Sequence, residues 1–167
     1  MPNKPAVLVV DDDKKVTDDI AEILELSGKY HVLKAYSGKE ALETVEHHNK
    51  GLLKLDRIKL VLLDIRMPDI DGIETLKKLH EIDENLRAFM VTAYDVDDYW
   101  IDSVFVFGAI AYIIKPFKDD DLLAKMENYF KGKAEVLKTQ TMCDYIGDRN
   151  QEGKSGRSSP NRSLPEG

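Results

Sequence analysis

The chain is poor in several features that would have directed its reading elsewhere. It holds one cysteine, Cys143, among 167 residues, so no internal disulfide can form, which fits a reducing cytosol. No apolar run approaches the roughly 20 residues that span a bilayer. Lys and Arg number 24 against 31 Asp and Glu, a formal charge of −7, which argues against general affinity for nucleic acid or anionic membrane. The excess of acid lies in residues 1–131, with 18 basic against 26 acidic side chains; residues 132–167 carry 6 against 5. The first apolar run is broken by three aspartates, unlike a secretory leader. The expectation is a soluble, acidic, cytoplasmic protein with one domain of ordinary size.

Four short apolar runs each end on a polar residue that phosphoryl chemistry can use. Val7-Leu8-Val9-Val10 runs into Asp11-Asp12-Asp13, and Leu60-Val61-Leu62-Leu63 into Asp64. Phe89-Met90-Val91 runs into Thr92, and Tyr112-Ile113-Ile114 into Lys115-Pro116. Continuous apolar runs alternating with helical patterns read as parallel strands buried on both faces. In an open parallel sheet the ligand site lies beyond the carboxyl ends of the strands. An acid cluster, a lone acid, a hydroxyl and a lysine therefore converge on one crevice.

Strand and helix patterns alternate from residue 6 to about 130. The strands are expected at Ala6–Val10, Tyr30–Ala35, Ile58–Leu63, Arg87–Val91 and Ala111–Ile114. A first helix from about Lys14 turns Val16, Ile20, Ile23 and Leu24 to one side, with Gly28 as its terminator. Ser37-Gly38-Lys39-Glu40 is a capping box opening a second helix, which carries Ala41, Leu42 and Val45 inward. A third helix holds Ile73, Leu76 and Leu79; a fourth covers about Val96–Phe107 and a fifth about Asp119–Phe130. Five βα units with right-handed crossovers give an α/β three-layer sandwich. Asp13 reads as an acid at a helix start, and Asp69 and Asp71 as loop and cap residues. After Lys131 the pattern fails. Residues 132–146 hold a few apolar positions that extend a helix or begin a further element. Residues 147–167, rich in Gly, Ser, Pro, Arg and Asn, read as disordered. The expected organisation is thus a domain over 1–131 and a short, largely disordered C-terminal extension over 132–167, native or left from a linker or tag.

An aspartate that accepts a phosphoryl group meets an anionic donor, and a hard divalent cation between them relieves the repulsion. Asp11 and Asp12, facing Asp64, would form such a Mg²⁺ site. Without the ion, three carboxylates so close repel one another and raise at least one pKa. Lys115 supplies a fixed positive charge toward phosphoryl oxygens and Thr92 a hydroxyl donor, the kind of positioning on which phosphoryl transfer depends.

These fragments, VLVVDDD, LLDIRMPDIDG, VTA and YIIKPF in that order, resemble the receiver domain of two-component response regulators over about residues 5–131. The resemblance implies a doubly wound, flavodoxin-like (βα)5 fold with a five-stranded parallel sheet in the order 2-1-3-4-5. It implies that Asp64 is the phosphorylated residue, taking its phosphoryl group from a sensor histidine kinase or a phosphotransfer protein. Asp12 is then a direct Mg²⁺ ligand, Asp11 an acid acting mainly through water, and Arg66 a backbone-carbonyl ligand. Thr92 and Lys115 match the positions that sense the phosphoryl group, and Tyr112 the aromatic switch. The Lys115–Pro116 bond is expected to be cis, which proline makes affordable. The switching surface, and a possible homodimer contact, is the fourth helix, fifth strand and fifth helix. It would control an output partner or an output domain, the chain itself being a switch rather than an enzyme with a separate substrate.

Departures from the family pattern fall away from the phosphoryl site. The interval from Thr92 to Gly108 is about one residue longer than is common in the family, and its helix is rich in aromatics, including Tyr99 and Trp100. The segment before the third strand, NKGLLKLDRIK, is also long. The fifth helix lacks the basic pattern of many DNA-binding regulators. Two other classes compete. A haloacid-dehalogenase-type Mg²⁺-dependent phosphatase would use Asp11 as nucleophile, but Lys15 stands where that motif wants Thr or Val, and LLDIRMPDIDG goes unexplained. A flavodoxin-like cofactor binder needs backbone amides in the first loop, where three aspartates would repel phosphate.

Overall fold

The computed structural model describes residues 3–52, 56–93 and 105–152. Its elements run β1 (Ala6–Val10), α1 (Lys14–Leu26), β2 (His31–Ala35), α2 (Gly38–Lys50), β3 (Ile58–Leu63), α3 (Gly72–Ile82), β4 (Arg87–Thr92), β5 (Ala109–Ile114), α4 (Asp119–Phe130) and α5 (Ala134–Glu152). The five strands are all parallel, in the order β2-β1-β3-β4-β5. The expected helix over about 96–107, with Tyr99 and Trp100, lies outside the described residues except for its end, where Phe105 and Val106 are helical.

Alternation along the central strands sorts the core into two layers. Val7, Val9, Leu60, Leu62, Phe89 and Val91 meet Ile20 and Leu24 of α1 and Leu122 and Met126 of α4. Leu8, Val10, Val61, Leu63 and Met90 face Ala41 and Val45 of α2 and Ile73, Leu76 and Leu79 of α3. Both faces of the inner strands are dry, which is why they read as unbroken apolar runs. Each such Val, Leu or Ile contributes about 1.5–3 kcal/mol by leaving water.

The helix starts follow their local chemistry. The carboxylate of Asp13 accepts the Lys15 and Val16 N–H groups and caps α1; that of Asp71 does the same for Ile73 and Glu74 at α3. Ser37 Oγ accepts from Glu40 N, while the Glu40 carboxylate accepts the Tyr36 N–H at 2.7 Å. Gly28 ends α1 at φ 70°, in the left-handed region that a Cβ disfavours.

The extension departs from expectation. Residues 134–152 form one helix, through part of the stretch read as disordered. Leu137 is buried in the same core layer as Ile110, Ala111 and Ile113 of β5, and Ala134 packs partly against it. Packing therefore continues past residue 131. The sequence showed only a few apolar positions here, because among the described side chains of α5 only Leu137 and Thr141 are buried, so burial by a neighbour, not intrinsic pattern, supports the helix.

At the amino ends of the strands a buried polar knot ties α2, β3 and α3 together. The Asn49 side-chain amide exchanges two hydrogen bonds with the Ile58 backbone and donates a third to Asp83 at 2.7 Å. Arg57 pairs with both oxygens of Asp83. Burial works against that carboxylate's charge, but Arg57, Asn49 and the Asn85 N–H outweigh it and hold the pKa below the usual value. Asn49→Ala would leave the buried Ile58 groups unpaired. It is expected to cost about 1–3 kcal/mol, read as a lower urea midpoint with an unchanged slope.

Candidate functional site

Three strands deliver the site. Asp11 follows β1 and Asp64 follows β3, and the two strands are hydrogen-bonded neighbours joined at this end by Asp64 N–H to the Val10 carbonyl at 3.0 Å. Lys115 follows β5, its N–H donating to the Thr92 carbonyl at 2.8 Å. Parallel pairing in register thus brings residues 11, 64, 92 and 115 to one end of the sheet, as the sequence pattern required. Tyr112 is half-buried on β5 against the layer that holds Met90. Thr92 is fully buried and Arg66 exposed, two residues beyond Asp64. The Lys115–Pro116 bond is cis.

Asp11, Asp12 and Asp64 each offer a carboxylate oxygen within 4.8 Å of the others. Asp11 and Asp64 are buried and Asp12 is exposed. Lys115 Nζ lies 2.5 Å from Asp11 and 3.4 Å from Asp64. An all-oxygen donor set with two or more negative charges, open on the Asp12 side, fits a hard divalent cation such as Mg²⁺. The carbonyl of Arg66 would complete such a set from the adjacent loop. A carboxylate can engage an ammonium or a metal through either oxygen, so Lys115 is a competitor for Asp11 and a partner for added negative charge.

The electrostatics follow from this crowding. Burial pushes the Asp64 pKa up to about 6; the charges of Asp11 and Asp12 add to the rise and Lys115 opposes it. For Lys115, burial disfavours the ammonium, but the hydrogen bond to Asp11 and the charge of Asp64 more than compensate, holding its pKa above the ordinary lysine value. The lysine therefore stays cationic at neutral pH.

Two positioning devices carry no sign of this purpose in the sequence. The buried Thr17 hydroxyl, one turn into α1, donates to the Asp11 carbonyl at 2.9 Å and fixes the backbone beneath the acid. Gly72 N–H donates to the Ile65 carbonyl at 2.7 Å, and a Cβ at Gly72 would stand 2.0 Å from the Asp64 carbonyl oxygen. Only a residue without a side chain lets α3 begin this close to Asp64. Gly72 is legible as a loop glycine, but the close approach is a tertiary fact. Asp69 takes φ 67° in the same loop, a conformation aspartate tolerates.

The raised Asp64 pKa has a definite sign for stability. The folded chain holds that proton up to about pH 6, whereas the unfolded chain releases it near pH 4. Stability is therefore lost as pH rises from about 4 through 6, and the ionised carboxylate is a burden at neutral pH. Asp64→Asn is expected to raise stability by about 1–3 kcal/mol at pH 7.5 in EDTA and to flatten that pH dependence. Thermal unfolding of both proteins at pH 4.5 and 7.5 checks this; a variant less stable than wild type at pH 7.5 overturns it.

Comparisons with known proteins agree with this geometry. The response regulator receiver domain family matches residues 7–127. The chain is 34% identical over 128 residues to sporulation initiation phosphotransferase F of Bacillus subtilis, covering 77% of this chain and 95% of that protein. It is 35% identical over 122 residues to the transcriptional regulatory protein CpxR of Escherichia coli, covering 72% of this chain but only 47% of CpxR. Among solved structures, a CheY-like receiver domain protein from Methanospirillum hungatei superposes with TM-score 0.66 at 32% identity, over 83% of this chain and 99% of the other. A chain of the CheX–CheY–BeF3–Mg²⁺ complex from Borrelia burgdorferi does so with TM-score 0.66 at 28% identity, over 75% and 89%. Nothing in the fold or the relatives supports a haloacid-dehalogenase-type phosphatase with Asp11 as nucleophile; the strand order, the acid triad and the family match over most of the chain all speak for the other reading. The chain belongs to the receiver-domain family of two-component response regulators.

Proposed function

We propose that Asp64 is the phosphoacceptor of this receiver and that a Mg²⁺ ion held by Asp11, Asp12, Asp64 and the Arg66 carbonyl assists the transfer. The observation that carries this is the convergence of three carboxylates and one ammonium at the carboxyl ends of β1, β3 and β5. The ion, when bound, screens the acceptor and the incoming phosphoryl oxygens from each other. An Asp64 oxygen attacks the phosphorus of a phosphohistidine on a kinase or phosphotransfer protein. The P–N bond breaks as the P–O bond forms, and the electron pair leaves on the imidazole nitrogen, which takes up a proton. Asp64 must be ionised to attack, so the metal's second role is to favour the carboxylate that burial disfavours.

Once the acyl phosphate exists, Lys115 faces a new negative charge beside Asp64 and Thr92 can offer its hydroxyl. Tyr112, three residues before the lysine on the same strand, relays the change as its packing adjusts. Phosphorylation then shifts a population between arrangements of the β5 side of the molecule. The chain acts as a cytoplasmic phosphoacceptor switch, with autodephosphorylation as its only catalysis. Its kinase and its output partner are other proteins or other domains, and self-association through the β5 side would require α5 to move.

Intact mass after incubation with acetyl phosphate tests the assignment. A Mg²⁺-dependent gain of one phosphoryl group is expected for wild type and none for Asp64→Ala, which remains folded. Equal labelling of that variant removes Asp64 from its role. Lys115→Ala is expected to keep its label but lose the phosphorylation-dependent change in amide exchange along β5; an unchanged response in that variant removes the lysine from the switch.

A further inference from the structure

The two edges of the sheet differ. The β2 edge is open, with His31 and Lys34 exposed and Val32 and Leu33 half-buried. The β5 edge is nearly as dry as a central strand: Ala109, Ile110, Ala111 and Ile113 are all buried. Part of its cover is α5, which packs against β5 and α4. Tyr129, near the end of α4, donates its hydroxyl to the Lys59 carbonyl at the amino end of β3. The chain turns at Lys131–Lys133, with Gly132 at φ 81°, so α5 starts beside the amino end of the sheet and returns along β5. Leu137 and Thr141, one turn apart, are its buried positions among the described side chains, while Val136 is 60% exposed.

One observation marks this contact as less favourable than core packing. The Thr141 hydroxyl is buried with no hydrogen-bond partner among the described residues, which costs free energy whenever the helix is docked. Ala134, Lys138 and Met142, which flank the buried positions, are half-buried, and Glu135, Val136, Thr139, Gln140, Cys143 and Asp144 form the exposed side. The strand that α5 covers is also the one that ends in Lys115. The docked helix accompanies the arrangement in which Lys115 sits on Asp11. A cation on Asp11 and a phosphoryl group on Asp64 would both draw the Lys115 ammonium out of that contact, and the backbone of Lys115 directly continues β5.

We propose that α5 is an intramolecular strap over β5, docked while Lys115 holds Asp11 and released when the Asp11–Asp12–Asp64 site takes a phosphoryl group. The inference rests on the phosphoacceptor reading of Asp64. It makes the segment after the receiver, not only the receiver surface, the first carrier of the signal. Linkage makes the coupling reciprocal: whatever loosens the strap must favour the occupied site by the same factor.

The test uses the whole chain, Mg²⁺ and beryllofluoride as a phosphoryl mimic, with two readouts: the affinity for beryllofluoride and hydrogen exchange of residues 134–144. Saturating beryllofluoride is expected to speed exchange in α5 by about fivefold or more. Leu137→Asp, which undocks the helix, is expected to bind beryllofluoride tighter by the same factor. Thr141→Val, which removes the unpartnered hydroxyl and strengthens docking, is expected to slow exchange and weaken binding; it carries the test if Leu137→Asp does not fold. Val136→Asp, at an exposed position, is expected to change neither. Binding with unchanged or slower α5 exchange overturns the strap and leaves Asp64 in place. Thr141→Val with slower exchange and unaltered affinity also overturns the coupling. No binding at all overturns the phosphoacceptor reading, and the strap with it.

Discussion

The ammonium of Lys115 between Asp11 and Asp64 is the contact on which the rest of the site depends. Three carboxylates at the end of a parallel sheet repel one another in a half-buried crevice, and the lysine is the fixed charge that makes the cluster tolerable. It reaches them from the far edge strand, across β4 and β3. Anything that redistributes charge at the acids is therefore felt on β5. The fold places that ammonium directly after the strand that α5 covers.

That arrangement costs stability, and the rest of the molecule offsets it. Asp64 is kept where its charged form is disfavoured, the pattern expected of a group whose task is to take on a partner. Two dry core layers on either side of the sheet hold the strand ends in register, while the Asn49–Arg57–Asp83 knot locks the opposite end. Stability is concentrated away from the chemistry. At the carboxyl end, Thr17 and Gly72 fix the backbone beneath Asp11 and Asp64.

The relatives differ in how far they extend beyond the receiver. The chain spans nearly all of the sporulation phosphotransferase and about half of CpxR. In this chain the segment after α4 folds back on β5, so the receiver and its continuation share a core layer. Among the described side chains of that helix, Leu137 joins the layer and Thr141 is buried beside it.

The sequence by itself determined the strands, their order of use and the residues at their ends. Buried parallel strands must be apolar on both faces, so each terminates visibly at its first polar residue, and Asp11, Asp64, Thr92 and Lys115 were legible for that reason. Capping chemistry is local too, and Asp13, Ser37 and Asp71 sit where their side chains reach the next turn's N–H groups. Tertiary structure alone decided what depends on approach between distant segments. The 2.0 Å clearance at Gly72, the Thr17 hydrogen bond to Asp11, the pairing of Arg57 with Asp83 and the docking of α5 leave no periodic trace, because each is a single meeting of residues that the folded backbone, not a repeating pattern, brings together. The extension shows the limit best. Residues 132–146 read only as a helix extension or the start of a further element, yet Leu137 and Thr141 found a strand edge to cover, and burial against a neighbour is a property that no window of sequence contains.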